Sequence, residues 1–271
     1  MPVSYPGGAM LEAHSFQPNP EKRFAPMGRR RAVSALHTPR QNRLLAALPV
    51  EDYERLLPDL ELVSLPLGLS IHRAGDREDY LYFLTEGIVS RVYMTENGAS
   101  AESALTGREG VIGIAAFLGG ESTPSRAVVL SAGFAYRVGA DLLKSEVKHG
   151  GALSHLLLRY TQALITQIAQ TAACNRHHTV EQQLCRRLLL SLDQLPSSTL
   201  TMTQELIANM LGVRREGVTE AAGHLQTAGL IHYSRGHITV LDRPRLEKRV
   251  CECYAVVKRE FDRLLPDRMA D

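Results

Sequence analysis

Between Gln204 and Val240 the apolar positions recur first at steps of three and four, then at steps of two. Leu206, Ile207, Met210 and Leu211 keep helical spacing, with Ala208 on the same inner side, where a larger side chain would push a crossing helix away. Thr203 precedes them and suits an N-cap, because its hydroxyl can accept from a free backbone N–H of the first turn. Gly212 follows as the residue that most cheaply ends a helix in the left-handed conformation. Val213 then turns back to the core, and a second helix is predicted from Arg214 to Thr227, with Val218, Ala221, Ala222 and Leu225 inward. After Gly229, Ile231, Tyr233, Ile238 and Val240 alternate around Arg235-Gly236, which predicts a hairpin. Two short helices, a glycine turn and a hairpin make a winged helix-turn-helix.

Upstream the period changes. From Leu60 to Gly139 short alternating runs are bounded by glycine, proline or aspartate, and Gly68, Gly75, Gly87, Gly98, Gly110 and Gly133 stand at the punctuation points. Turn signals at that spacing predict an all-β sandwich or barrel rather than a βαβ unit. Between Gly151 and Arg176 helical spacing returns, over about 39 Å at roughly 1.5 Å per residue. Its stripe of Leu153, Leu157, Tyr160, Leu164, Ile168 and Thr171 suits pairing with a second copy in a coiled coil. Packing of that stripe against the chain's own β domain is the alternative. A further helix is predicted from Val180 to Leu195, ended by Pro196, with His177 to Thr179 as the hinge.

A chain of 271 residues has room for two domains with proper cores. No apolar run approaches the length of a bilayer, and no secretory signal is present, which points to a cytoplasmic protein with no membrane partner. The net charge of +2 does not argue for nucleic acid by itself. Its distribution adds more: Lys22, Arg23, Arg29, Arg30, Arg31, Arg40 and Arg43 face the single acid Glu21, and residues 1–40 read as a basic arm without fixed structure.

The four cysteines are Cys174, Cys185, Cys251 and Cys253. Cys251-x-Cys253 is not the C-x-x-C of a zinc half-site, so reduced free thiols and no metal are expected. His177-His178 reads as a polar helix end. No nucleophile triad, phosphate loop or carboxylate pair can be assembled, so nothing supports an enzyme.

The run "GDREDYLYFLTEGIVSRVYM" is similar to the central hairpin of the cyclic-nucleotide-binding β-roll. Together with the winged helix it resembles the Crp/Fnr superfamily of bacterial transcription regulators, over about residues 45 to 245. The resemblance implies an α+β chain. An N-terminal β-roll, a cyclic-nucleotide-binding-like jelly roll, would span residues 41–150. A long dimerisation helix would span 151–178, a winged-helix DNA-binding domain 179–250, and a C-terminal helical extension 251–271. It further implies a homodimer on a palindromic double-stranded DNA operator, with RNA polymerase as another partner. The alternative is an effector-sensing β-roll protein whose winged helix contacts protein instead of DNA.

In relatives that bind cyclic AMP, a short loop carries Gly-Glu and then an Arg-Ser pair that grips ribose and phosphate. Here those positions hold Gly113, Ile114, Ser125 and Arg126. The ribose loses its carboxylate acceptor, and an arginine displaced by one residue on a strand turns to the other face. Cyclic AMP is therefore not expected to bind; the effector is unknown and no cofactor is predicted. The oxygen-sensing branch holds iron and sulfur on N-terminal cysteines, and no cysteine here precedes Cys174. A haem would need a ligand such as His72, which is read instead as a surface histidine.

The family's "R-E-x-V-x-R" face falls on Arg215, Glu216, Val218 and Glu220. Arg215 is the candidate for a guanine edge and Glu216 for a cytosine amino group. Thr219 is assigned a thymine methyl or a phosphate. Thr203, Gln204, Arg214 and Arg235 are candidates around the DNA backbone. Glu220 is an acid where many relatives carry a guanine-reading arginine.

Overall fold

The computed structural model describes residues 37–265. The basic arm expected over 1–40, apart from its last four residues, and the end of the C-terminal extension lie outside the described residues. Two short helices, α1 (Arg43–Ala46) and α2 (Val50–Leu56), lead into the strands β1 (Glu61–Leu65), β2 (Ser70–His72), β3 (Tyr80–Met94), β4 (Ser100–Thr106), β5 (Val111–Ile112) and β6 (Arg126–Gly139), with α3 (Ala115–Leu118) before β6. Then come α4 (Ala140–Lys148), α5 (Ala152–His177) and α6 (Val180–Leu192). The last part comprises β7 (Thr199–Thr201), α7 (Gln204–Leu211), α8 (Arg215–Thr227), β8 (Ile231–Ser234), β9 (His237–Val240), α9 (Arg243–Arg249) and α10 (Glu252–Leu264).

The roll is one antiparallel sheet in the order β1-β6-β3-β4, with β2 also on β6 and β5 also on β3. Strands β3 and β6 pair along most of their length, with register shifts between Leu84 and Val89. Gly87 and Gly133 meet at these shifts. A Cβ on Gly133 would stand 2.1 Å from the Glu86 carbonyl oxygen, and one on Gly87 2.6 Å from that of Ser131. Both glycines therefore lie inside long strands rather than at turns, because the two backbones approach too closely there for any side chain.

Asn42 fastens the leading helices to the roll. Its Oδ1 accepts from the N–H groups of Leu44 and Leu45, while Nδ2 donates to the carbonyls of Leu84 and Gly110. One core lies inside the roll, around Leu65, Tyr82, Leu84, Val89, Ile112 and Val129. A larger core runs from α1 and α2 past Phe83 and Val138 to α5, α6 and the winged helix.

The stripe on α5 is buried within the protomer: Leu153, Leu157, Tyr160 and Leu164 all belong to this larger core. Helix α10 accounts for much of that burial. It runs back along α5 with Tyr254, Val257 and Phe261 inward, and the Phe261 ring meets Tyr160 edge-on with centroids 6.4 Å apart. The outward apolar residues of α5 are instead Leu158, 53% exposed, and Ile165, 61% exposed. The apolar period marked a buried face correctly, but the surface that buries it belongs to the same chain.

In the winged helix, Thr203 Oγ1 accepts from the Leu206 N–H as the cap of α7. Gly212 closes α7 with φ 67°. Positive φ at Arg235 (49°) and Gly236 (80°) makes the tight turn between β8 and β9. Strand β7 adds to the hairpin in the order β7-β9-β8. Helix α6 ends at Leu192, one turn short of the predicted Leu195, and starts from a capping box in which Thr179 and Gln182 bond each other's backbone. On its other side α7 rests on the roll, where Met210 packs with Ile88, Leu105 and Leu130.

Candidate nucleic-acid interface and the interior of the roll

Helix α8 presents two unlike faces. Val218, Ala221, Ala222 and Leu225 are buried against α6 and α7, whereas Arg214, Arg215, Glu216, Thr219 and Glu220 are exposed. The exposed group begins at the helix N-terminus, the end that leads in a major-groove reading helix. Thr219 is held in place: its Oγ1 lies 2.8 Å from Gln204 Oε1 and 3.0 Å from the Arg215 carbonyl oxygen. Gln204, the first residue of α7, thereby stands beside the middle of α8. Thr203 has its hydroxyl engaged in the cap, and Arg235 is exposed at the tip of the wing.

This order of parts matches known families. Residues 62–149 match the cyclic nucleotide-binding domain, and residues 182–249 match the Crp-like helix-turn-helix domain. The chain belongs to the Crp/Fnr family. It is a DNA-binding transcription regulator of that family, whose members are not enzymes. No protein of curated function matches it in sequence. Among solved structures, FixK2 from Bradyrhizobium japonicum is 17% identical, with 71% of this chain and 98% of that one aligned and a TM-score of 0.59. A CRP-family transcriptional regulator from Thermus thermophilus is 21% identical, with 69% and 95% aligned and a TM-score of 0.57. The c-di-GMP-responsive global regulator CLP from Xanthomonas campestris is 15% identical, with 72% and 100% aligned and a TM-score of 0.56. At these identities the three structures establish the shared fold.

Beside its apolar core the regulator's roll buries a set of polar side chains, among them His72, Glu78, Arg91 and Ser125. Gly113 has φ 103°, and a Cβ there would meet the Tyr80 carbonyl oxygen at 2.4 Å, so the backbone itself requires this glycine. Ile114 starts α3 and packs half-buried against the larger core. The buried Glu78 caps that helix: its Oε2 accepts from the Ala115 N–H at 2.7 Å, and its Oε1 lies 3.5 Å from His72 Nδ1. Burial raises the Glu78 carboxyl above its ordinary range and pushes His72 down to about 4. His72, expected at the surface, is thus an interior residue, carried inward by the pairing of β2 with β6.

Ser125 is fully buried, accepting from Arg91 Nη1 at 3.2 Å and lying 3.0 Å from Thr123 Oγ1. Arg126 points elsewhere, lining a cavity of about 20 Å³ with Ser90, Leu130 and Met210 where α7 meets the roll. Of the four effector-pocket candidates, Gly113 and Ile114 serve α3, Ser125 faces Arg91, and Arg126 faces the DNA-binding domain.

Sequence reasoning missed the groups that tie the two domains together. Arg187 on α6 and Glu102 on β4 form a buried ion pair, Nε to Oε1 at 2.9 Å, and Ser90 Oγ donates to the other carboxylate oxygen. Burial raises the Glu102 carboxyl, while the Arg187 charge opposes that shift. A second junction, between roll, α6 and α10, encloses about 470 Å³ and is lined by Arg43, Arg108, Glu109, Gln167, Asp193 and Lys258. Burial pushes the Glu109 carboxyl up to about 7. An arginine in an otherwise helical apolar run, as at Arg187 in "CRRLLLSL", was the available signal for the first of these. The cysteines also depart from expectation. Cys185 stands outside the group, but Cys174, Cys251 and Cys253 converge with His178, so residues able to hold a metal do come together.

Proposed function

We propose that this regulator works as a homodimer that reads a palindromic operator through α8, in partnership with RNA polymerase, and that cyclic AMP does not control it. The observation that carries the DNA reading is the exposed row Arg214, Arg215, Glu216, Thr219 and Glu220 above the fully buried Val218. Arg215 donates to a guanine edge, Glu216 accepts from a cytosine amino group, and Gln204, Arg214 and Arg235 grip phosphates. Glu220 cannot pair with guanine acceptors, so the operator differs at that step from those read by an arginine.

The dimer seam is the outward face of α5. Leu158 and Ile165 are seven residues apart, and the exposed Ala172 lies seven further on, the heptad spacing of a paired helix. A two-fold protein in turn matches a two-fold operator. Three features support the exclusion of cyclic AMP. Ile114 has no acceptor for a ribose hydroxyl, Ser125 is already engaged by Arg91, and the Glu78 carboxylate takes the Ala115 N–H and adds a like charge near an incoming phosphate. An unsatisfied buried hydroxyl alone costs about 1–3 kcal/mol.

Sedimentation and binding-site selection on Leu158→Glu with Ile165→Glu test this reading. Monomers that no longer select a palindrome are expected; a variant that stays dimeric overturns the seam. A wild-type protein that selects no DNA sequence would favour a protein-binding winged helix. In the same experiment, calorimetric titration of the wild type with cyclic AMP should give no binding heat, and micromolar affinity would overturn that half of the proposal.

A further inference from the structure

Cys174 and His178 lie four residues apart, at the end of α5 and just beyond it, and so share a helix face. Cys251 caps α10, and Cys253 is in its first turn. The two segments meet. Cys174 Sγ is 3.6 Å from Cys251 Sγ, and Cys253 Sγ is 3.5 Å from His178 Nδ1. All four potential ligand atoms lie within 4.8 Å of one another. The three sulfurs are buried in a cluster of their own, closed on one side by Val250.

We propose that Cys174, His178, Cys251 and Cys253 form a structural zinc site that clamps both ends of the DNA-binding domain. Zinc–sulfur bonds near 2.3 Å and zinc–nitrogen bonds near 2.0–2.1 Å at tetrahedral angles put neighbouring sulfurs about 3.8 Å apart, and sulfur and nitrogen about 3.6 Å apart. The observed 3.6 and 3.5 Å agree with both values. Three thiolates and one imidazole complete a closed four-coordinate set, the donor composition of structural rather than catalytic zinc. A four-iron cluster would place each ligand on a separate iron and spread them wider than this group allows.

The surroundings of His178 point the same way. With Nδ1 turned to the sulfurs, Nε2 lies 3.4 Å from Glu252 Oε2. A carboxylate on the far ring nitrogen is the usual partner of a metal-bound histidine, because it sets the tautomer and the ring orientation.

The location gives the site its role. The chain enters the winged-helix region directly after His178 and leaves it at Cys251. The ion therefore joins the two ends of that segment and binds both to the long helix α5. From there α10 runs back along α5 to the Phe261–Tyr160 contact. The orientation of the reading helix relative to the dimer axis is then held by the metal as well as by packing.

The test uses the full chain, purified without a histidine tag. Metal analysis should find one zinc per protomer. After chelation, titration with cobalt(II) should give the absorption of tetrahedral thiolate-bound cobalt, reading the site in the wild-type protein even if variants fold poorly. Cys253→Ser and His178→Ala should lose the zinc, whereas Cys185→Ser, buried outside the cluster, should keep it. Zinc absent from the purified protein, with cobalt showing no thiolate charge transfer, would overturn the proposal. So would zinc retained by the double variant Cys253→Ser, His178→Ala, iron–sulfur absorption, or an oxidised Cys174–Cys251 pair. Metal content is measured without DNA, so this result stands apart from that of the operator experiment.

Discussion

On α8, Arg214, Arg215, Glu216, Thr219 and Glu220 face solvent along one side of a helix whose other side is core. In the roll, His72, Glu78, Arg91, Glu102 and Ser125 are buried and partnered largely by one another and by backbone. Both regions are rich in charge, but the helix leaves its charges for a partner to meet, whereas those of the roll lie buried among groups of the same chain, Glu102 against Arg187 of α6. A buried, unpaired charge is costly, so a domain that holds such groups must either bind a ligand that satisfies them or satisfy them internally. This roll does the second only in part: Arg91 Nη1 donates to Ser125 and Glu78 accepts from Ala115, while Arg91 Nη2 and His72 Nε2 are buried without a hydrogen-bond partner.

The contrast breaks most sharply at the interdomain ion pair. Arg187→Ala leaves Glu102 buried without its cation and should lower stability by about 3–5 kcal/mol in urea unfolding, while replacing both partners by apolar residues should be near neutral. A loss below about 1 kcal/mol would mean that the interior charges are not held as tightly as their burial implies.

Next in size is the pH dependence. The folded protein holds the Glu109 carboxyl near 7, above its ordinary 4.5, so the fold favours the protonated form. The stability from this group is complete below pH 4.5 and is lost as pH rises through 7, an effect on the order of a few kcal/mol. Glu109→Gln should remove that decline. His72 acts in the opposite sense: its folded value near 4 lies below 6.5, so its contribution is present above pH 6.5 and lost as pH falls toward 4. Unfolding free energies of wild type and Glu109→Gln, measured from pH 4.5 to 8, should diverge as pH rises. Parallel curves would show that Glu109 ionises freely in the fold.

Smallest per substitution are the effects at the reading surface, where no charge is buried until DNA arrives. Arg215→Ala and Glu216→Ala should each lose about 1–3 kcal/mol at a single base pair and relax the preference there. Arg235→Ala should weaken all sequences alike and flatten the salt dependence by about one unit of slope. An unchanged preferred motif after both Arg215 and Glu216 are removed would show that α8 does not read the bases.

Local patterns carried much of the molecule. The cap at Thr203, the left-handed Gly212, the Arg235-Gly236 hairpin and the buried face of α8 all follow from residues within a few positions of one another. Such contacts are encoded in short-range spacing, so the winged helix and its exposed row could be written from the sequence alone. The length of α5 was legible for the same reason. What buries its stripe was not, since a period of three and four marks a buried face but not the surface that covers it. That surface is α10, returning from the far end of the chain, together with the chain's own roll, where Tyr160 meets Thr106 and Gly110. Gly87 and Gly133 carried a turn signal, yet only the crossing of β3 and β6 makes them necessary inside strands. Glu78, Arg91 and Glu102 have no local signature, and Arg187 shows only as an arginine in an apolar helical run, because each finds its partner through the sheet or across the domain boundary. The cysteines mark the limit most clearly. Cys251-x-Cys253 is an incomplete set by itself, and its other half, Cys174 and His178, arrives from more than seventy residues away once α10 folds back on α5.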